Sequence, residues 1–169
     1  MNKIPIIILL ITLSKLSIAQ ESINDTGTKR NNLFIELWGS TTYYSLNYER
    51  IYYFKPGKPA LLTTRIGFAY FPSPSIGDSK IFSIPVSIST LLGKKDNKIE
   101  FGISSSYNFG NDFDRENSSF NSLIIGYRIQ PINNHIMIRV SYLPTFYHSF
   151  KNGENEFLHM GGFSFGYSF

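Results

Sequence analysis

Large apolar side chains fall at every second position in the last stretch of the chain. Phe163, Phe165, Tyr167 and Phe169 alternate there with glycines and serines. A period of two places successive side chains on opposite faces of a β-strand, whereas a helix repeats about every 3.6 residues. Residues 157–169 therefore predict a strand with one aromatic face and one small or polar face.

The same alternation recurs along the chain between turn signals rich in Gly, Pro, Asn and Ser. The predicted strands span residues 33–38, 43–52, 60–71, 80–92, 99–109, 120–130, 135–147 and 157–169. Short strands at regular spacing indicate a single all-β domain. Pro85 interrupts the fourth strand, and because proline has no N–H donor we expect a bulge or a missing rung there.

Each predicted strand has one apolar face and one face of mostly Ser, Gly, Thr and Ala. The polar faces also carry six charged residues, namely Glu36, Glu49, Arg65, Glu100, Arg128 and Arg139. Strands of about 10 residues suit a tilted crossing of the hydrocarbon layer, and an even number returns both ends to one side. We therefore predict an eight-stranded antiparallel up-and-down transmembrane β-barrel.

The interior of an eight-stranded barrel is only just filled by side chains. Three carboxylates and three guanidinium groups balance in charge, and arginine can bind a carboxylate through two parallel hydrogen bonds. The six inward charges are accordingly interpreted as a structural network that fills the lumen. A gated conducting path is the alternative.

Aromatic residues of a membrane barrel should gather at two heights, one at each interface. Threading the strands alternately up and down places an outer set at Tyr43, Tyr44, Tyr70, Phe82, Tyr107, Phe109, Phe120, Tyr142 and Phe157. The inner set comprises Tyr48, Tyr52, Phe101, Tyr127, Tyr167 and Phe169. The pattern is that of a membrane-spanning wall with two aromatic belts.

The N-terminal residues have the order of regions that is typical of a secretory signal peptide. Lys3 precedes an apolar run over residues 4–13, and small residues lead to Ala19. Lys15 cuts the run short of the roughly 20 apolar residues that a spanning helix needs, so we expect export and cleavage after Ala19.

These features divide the chain into three parts. Residues 1–19 form the predicted signal peptide, 20–31 a polar and flexible lead-in, and 32–169 the barrel domain. Loss of Lys3 and Lys15 lowers the formal net charge from +4 to +2. A nearly neutral chain argues against a nucleic-acid partner, and the absence of cysteine excludes disulfides and thiolate chemistry.

The search for catalytic and metal-binding residues yields little. His135, His148 and His159 do not have the spacing of metal ligands, and neither a cofactor nor a metal is expected. His148 and Ser149, with Glu154 or Glu156 nearby, suggest a lipid-hydrolysing triad only weakly, since a triad is defined by geometry. We therefore expect a protein that is not an enzyme.

Two features resemble a known class of proteins. The closing strand is similar to that of Gram-negative outer-membrane β-barrels, which end in Phe with aromatics at alternate positions before it. The tract TYYSLNYER at 42–50 resembles a segment of small outer-membrane barrels, and length and strand count resemble the OmpA/OmpX-like barrels. The resemblance implies that Phe165, Tyr167 and Phe169 form a signal for the barrel-assembly machinery.

The leading hypothesis is an integral protein of the cell outer membrane, a monomer among lipids, with a structural, surface-binding or minor transport role. One alternative is a soluble periplasmic lipocalin-like barrel that binds an apolar ligand. A lipid-modifying barrel enzyme is the other. A lipocalin hides its apolar face inside, whereas here the small and charged residues form the face predicted to point inward.

Overall fold

A computed structural model describes residues 29–53, 60–73, 79–93, 96–110, 117–150 and 153–169. The predicted signal peptide and residues 20–28 of the lead-in lie outside these described residues. The strands are β1 (Asn31–Trp38), β2 (Tyr44–Tyr53), β3 (Ala60–Ser73), β4 (Ser79–Leu92), β5 (Asn97–Gly110), β6 (Ser118–Ile129), β7 (Ile136–Ser149) and β8 (Asn155–Ser168).

Each strand pairs antiparallel with the next, and β8 pairs with β1 to close the barrel. The predicted all-β, eight-stranded, up-and-down antiparallel barrel is thus confirmed. We call the end that carries Lys29 and Phe169 the inner end, and the end that carries the β1–β2 turn the outer end. No helix in the described ranges is long and apolar enough to span a membrane.

The stagger of the strands sets their tilt. We follow the cross-strand partners around the barrel, each residue being paired with the one before it on the neighbouring strand. Starting from Asn32, the series is Glu49, Arg65, Ser87, Ser104, Ser122, Thr145 and Leu158. In the β1–β8 register the residue numbers of two partners sum to 200, so Leu158 corresponds to position 42 on the line of β1. Position 42 lies ten residues beyond Asn32, and this offset after one circuit of the barrel is its shear. A shear of this size in an eight-stranded barrel corresponds to strands tilted by roughly 40°.

Two prolines interrupt the ladders without changing the register. The β3–β4 ladder lacks rungs between Ile66↔Val86 and Ala69↔Ser83, which is where Pro85 lies. The β6–β7 ladder has a similar gap beside Pro144. Of the two forms expected at Pro85, the structure has the missing rung and not the bulge, because a proline lacks only the donor and leaves the residue count unchanged.

Three details of the prediction were wrong. Asn31, assigned to the flexible lead-in, is the first residue of β1. Trp38, which alternation along residues 33–38 predicts on the inward face with Glu36, instead has a φ of 54° and points outward, where it is 60% exposed. Phe120, assigned to the outer aromatic set, projects into the barrel and is buried, since its even number places it on the face of Ser122 and Arg128.

The β1–β2 hairpin is shorter than the rest of the wall. Trp38 and Gly39 both have positive φ, and the turn over residues 39–43 bends into the barrel, where Ser40 and Thr41 are buried. Because β1 ends at Trp38, opposite Gly162, the outer part of β8 has a described neighbour on its β7 side alone. The barrel wall is therefore shorter at the β1–β2 hairpin than at the other strands.

Candidate functional site: the barrel interior

The six charged residues named above lie buried in the interior, and each comes from a different strand. Glu36 lies on β1, Glu49 on β2, Arg65 on β3, Glu100 on β5, Arg128 on β6 and Arg139 on β7. All six are at most 4% exposed. The alternation that puts apolar residues outside puts these side chains at the axis, where the narrow lumen brings them into contact.

The six groups form one continuous chain of alternating charge, which we call the ionic chain. Arg65 contacts Glu36 at 3.1 Å, and Glu36 contacts Arg139 at 2.6 Å. Arg139 continues to Glu100 at 3.4 Å, and Glu100 to Arg128 at 2.9 Å.

The chain ends at Glu49, where Arg128 binds both carboxylate oxygens, at 2.5 and 2.7 Å. This two-bond arrangement is the strongest geometry available to an Arg–carboxylate pair. Asn32 adds a third bond, donating from Nδ2 to Glu49 Oε1 at 2.7 Å.

The two strands that contribute no charge to the ionic chain, β4 and β8, supply hydroxyl groups to it. Arg65 Nε donates to Ser87 Oγ of β4 at 2.9 Å, and Arg139 donates to Ser164 Oγ of β8 at 3.0 Å. All eight strands thus contribute at least one side chain to the ionic chain and its first partners. A network of this kind links strands that the backbone ladders do not connect, such as β1 with β7.

An aromatic ring and the inward turn also contact the ionic chain. The guanidinium carbons of Arg139 and Arg65 lie 4.9 and 5.9 Å from the centroid of the Phe34 ring, within cation–π range. Arg65 also donates to Ser40 Oγ at 2.8 Å. The inward turn of the short β1–β2 hairpin therefore covers part of the ionic chain.

On the inner side, the polar contacts pass into an apolar layer. Asn32 Oδ1 accepts hydrogen bonds from Gln130 at 3.0 Å and from Ser168 at 2.6 Å. Beside these residues Ile51, Leu61 and Leu91 form a buried apolar cluster. The inner third of the lumen is thus filled by large side chains.

The outer half of the lumen is lined by small polar residues that bond to one another. Ser83 and Ser106 hydroxyls lie 2.6 Å apart, and Ser122 and Thr145 hydroxyls 2.8 Å apart. Buried polar groups are costly unless they are paired, and these pairs satisfy each other across adjacent strands. The buried hydroxyl groups of Thr41, Ser104 and Ser149, in contrast, have no hydrogen-bond partner among the described residues.

Sequence reasoning did not single out several of these residues. Ser40 was assigned to a turn and Lys98 to the end of another, yet Ser40 binds Arg65 and Lys98 is buried on the inward face of β5. Alternation could have identified Lys98, because it lies two positions before Glu100 and therefore on the same face of β5. No sequence signal shows that a turn bends into the lumen.

The histidines do not assemble a catalytic group. His148 and Ser149 are adjacent on β7 and project to opposite sides of the wall, with Ser149 buried inside. His148 Nδ1 instead lies 2.9 Å from Asn155 Oδ1. Within the described ranges, no three His, Cys, Asp or Glu residues group as a metal site would require.

The predicted assembly signal lies on the outward face of β8. Phe165, Tyr167 and Phe169 are each slightly more than half exposed. The backbone of Phe169 exchanges two hydrogen bonds with Asn31, at 2.9 and 2.8 Å, so this end of β8 is part of the barrel seam.

Comparison with known proteins identifies no relative: no protein-family model, no curated protein and no solved structure matches this chain. The functional argument therefore rests on the geometry of the barrel.

Proposed function

We propose that this protein is an integral β-barrel of the cell outer membrane, of the OmpA/OmpX type. Its lumen is filled by side chains, and its role is structural or lies in surface interaction rather than catalysis. The observation that carries the proposal is the reversed polarity of the barrel, which is apolar outside and polar inside.

The inner and outer faces of the wall differ strongly in polarity. Among the described residues, 26 of the buried side chains are polar or charged and 10 are apolar, while 32 large apolar side chains are exposed. Soluble proteins rarely expose a contiguous apolar patch of more than a few hundred Å². An apolar band around the whole wall supports lipid as its solvent.

The dimensions of the wall fit a bilayer. Five of the six strands from β3 to β8 have 14 residues each, namely β3, β4, β5, β7 and β8. At about 3.3 Å per residue and a tilt of roughly 40°, such a strand rises about 35 Å along the barrel axis. The hydrocarbon core is about 30 Å thick, so the strands span it and reach both interfaces.

Two pairs of polar side chains on the outer face bond to each other. Ser105 Oγ donates to Asn121 Oδ1 at 2.9 Å, in a groove whose walls include Ile103 and Leu123. Tyr142 Oη and His159 Nδ1 lie 2.5 Å apart. Mutual pairing lowers the cost of polar groups in hydrocarbon, which supports a lipid-facing wall.

The interior argues against the lipocalin-like alternative. A lipocalin keeps an apolar cavity for its ligand, but here the centre of the barrel is the ionic chain. The same filling favours a plugged barrel over a pore. We further propose export by the signal peptide at 1–19, insertion by the barrel-assembly machinery, and a monomeric state.

Fractionation of the native protein tests this proposal. We expect it to remain in the membrane pellet after an alkaline wash, to require detergent for extraction, and to migrate differently on gels before and after boiling. A soluble periplasmic protein of similar size serves as the control. Recovery of the chain in the periplasmic fraction without detergent would refute the membrane location.

A further inference from the structure

A cleft opens in the barrel wall at its outer end, where the short β1–β2 hairpin leaves β8 without a neighbour. Its volume is about 340 Å³, and it is lined by Thr42, Phe120, Tyr147, Leu158, His159 and Met160. Phe120, Leu158 and Met160 belong to inward-facing positions, whereas His159 faces outward. A cavity lined from both faces of the wall passes through it, and we call it the lateral cleft.

One side of the lateral cleft is a strand edge with free backbone positions. In an antiparallel pair, the N–H and C=O of one residue point to the same neighbour, and successive residues alternate sides. Phe169 bonds to Asn31 of β1, whereas Ser168 donates to His135 on the β7 side. Odd-numbered residues of β8 therefore face β1.

Phe157 and His159 have this parity, but β1 ends opposite Gly162. No described strand lies beside them on that side. Their N–H and C=O groups consequently point to this open side of β8, and His159 also lines the lateral cleft.

On the other side of the short hairpin, side chains cover the edge of β3. Tyr44 Oη donates to the backbone carbonyl of Tyr70 at the edge of β3, at 2.7 Å. The Phe71 ring packs against Tyr43 and Tyr44, with centroids 5.2 and 5.3 Å apart. The carbonyl of Tyr70 at the β3 edge is thus paired, whereas residues 157–161 of β8 have no described strand on their β1 side.

We infer that the lateral cleft binds a single-chain amphiphile with a cationic or zwitterionic head, entering sideways from the outer leaflet. The inference rests on the proposed membrane location. The tail would lie among Phe120, Tyr147, Leu158 and Met160, in the part of the lumen where large apolar side chains replace the serines. The head would meet the β8 edge.

Size and charge select this class of ligand. Ligand pockets usually measure about 300–1,000 Å³, so 340 Å³ admits one chain and not a lipid with several. The exposed carboxylate of Glu156 and the aromatic ring of Tyr147 line the same cleft. A carboxylate beside an aromatic ring favours a cationic group.

An added peptide strand fits less well than an amphiphile. A strand bound at the β8 edge would leave the apolar lining of the cleft unused. A bound strand would protect the Phe157 and His159 amides from hydrogen exchange, whereas an amphiphile would occupy the apolar lining. The test below distinguishes these two occupants.

Fluorescence quenching provides the test. Trp38 is the only tryptophan, so a Trp38→Phe background with Phe120→Trp reports from inside the lateral cleft. The matched reporter, Phe146→Trp in the same background, faces outward on β7. Each protein is reconstituted in diacyl phosphatidylcholine vesicles and titrated with an alkyl phosphocholine that carries bromine on its chain.

We expect saturable quenching of the tryptophan at 120, displaced by the unbrominated alkyl phosphocholine, and merely linear quenching at 146. Leu158→Phe should weaken the saturable phase about tenfold or more by filling the cleft. The outward Leu123→Phe should leave it unchanged, and Met160→Phe replaces Leu158→Phe if that variant does not fold. A brominated alkyl sulfate should bind more weakly than the phosphocholine.

Three results would overturn the inference. Linear quenching at both reporters would mean that the probe only partitions into the bilayer. Hydrogen-exchange protection of the Phe157 and His159 amides, together with a species of twice the mass, would identify a second copy paired at the β8 edge. Protein that does not float with vesicles would refute both the membrane proposal and the cleft, whereas protein that floats without saturable quenching refutes the cleft alone.

Discussion

Arg139 illustrates how a single side chain can hold the barrel together. Its guanidinium group contacts Glu36 and Glu100, donates to Ser164, and lies over the Phe34 ring. These partners come from β1, β5 and β8, so the residue connects strands far apart in the sequence. Burial makes each contact strong, and it also makes the loss of one partner expensive.

We therefore predict that Arg139→Ala destabilises the folded barrel by about 3–5 kcal/mol, because it leaves buried carboxylates without compensation. Arg50→Ala is the matched control: Arg50 lies on the outward side of β2 with its guanidinium carbon 5.9 Å from the Tyr52 ring centroid. Its removal should cost about 1 kcal/mol or less. Urea unfolding of both variants in lipid, followed by Trp38 fluorescence, measures the difference.

Equal unfolding midpoints for Arg139→Ala and Arg50→Ala would contradict this prediction. That result would mean that lumen water solvates the orphaned carboxylates as well as bulk water does.

Among the strands, β8 has three roles, and a different set of its residues carries each one. Its inward residues, such as Ser164 and Ser168, complete the polar interior. Its outward aromatics contribute to the apolar wall, and its outer edge borders the lateral cleft. The β1–β2 hairpin is the counterpart, since its shortness both covers the ionic chain and creates that cleft.

The outward aromatics of β8 lead to a prediction about assembly. Phe169→Ala should reduce the amount of barrel in the outer membrane of cells several-fold, because the proposed assembly signal loses its final aromatic residue. Its stability after refolding in detergent should change little, since Phe169 is about half exposed. Phe163→Ala removes an outward ring from the same strand and is the control. Surface levels are compared by quantitative immunoblotting of membrane fractions.

Normal outer-membrane levels of Phe169→Ala would contradict the signal. A comparable loss with Phe163→Ala would assign the effect to the apolar wall in general.

At the scale of the whole molecule, the barrel is a closed wall around a filled lumen. The ionic chain occupies its centre, and the cluster of Ile51, Leu61 and Leu91 occupies the inner end. No single constriction is responsible for the filling, because all eight strands contribute to it. Eight strands enclose just enough space for such side chains.

This filling predicts the absence of a large steady conductance for the wild-type protein in planar bilayers. Arg128→Ala should increase the frequency of brief openings, because it removes a large side chain that joins two carboxylates. Ser106→Ala, in the outer half of the lumen, should behave as wild type. Single-channel recording distinguishes these cases, and a stable open channel in the wild-type protein would mean that the interior is an aqueous path.

The strand count, the order of the strands and the choice of inward and outward faces could be predicted from the sequence. Alternation has a period of two, and it is a local property that each strand carries by itself. It placed Glu36 and Arg65 on the polar faces and Phe165 and Tyr167 on the apolar ones. The prolines were also informative, since the missing donor of Pro85 is a property of one residue.

The partners of each charge were decided only by the tertiary structure. Arg139 and Glu36 are separated by 103 positions, and Arg128 and Glu49 by 79. Which carboxylate meets which guanidinium depends on the shear of the closed barrel, because stagger sets the height of every residue relative to residues on other strands. Alternation within one strand carries no information about that height.

The lateral cleft was decided in the same way. Nothing in the period-two pattern shows that Trp38 and Gly39 adopt positive φ or that Ser40 turns inward to meet Arg65. The turn bends inward where a buried guanidinium offers it a hydrogen bond, and that donor comes from another strand. The sequence by itself thus determined the wall and its two faces, whereas closure of the wall decided the ionic chain and the gap beside β8.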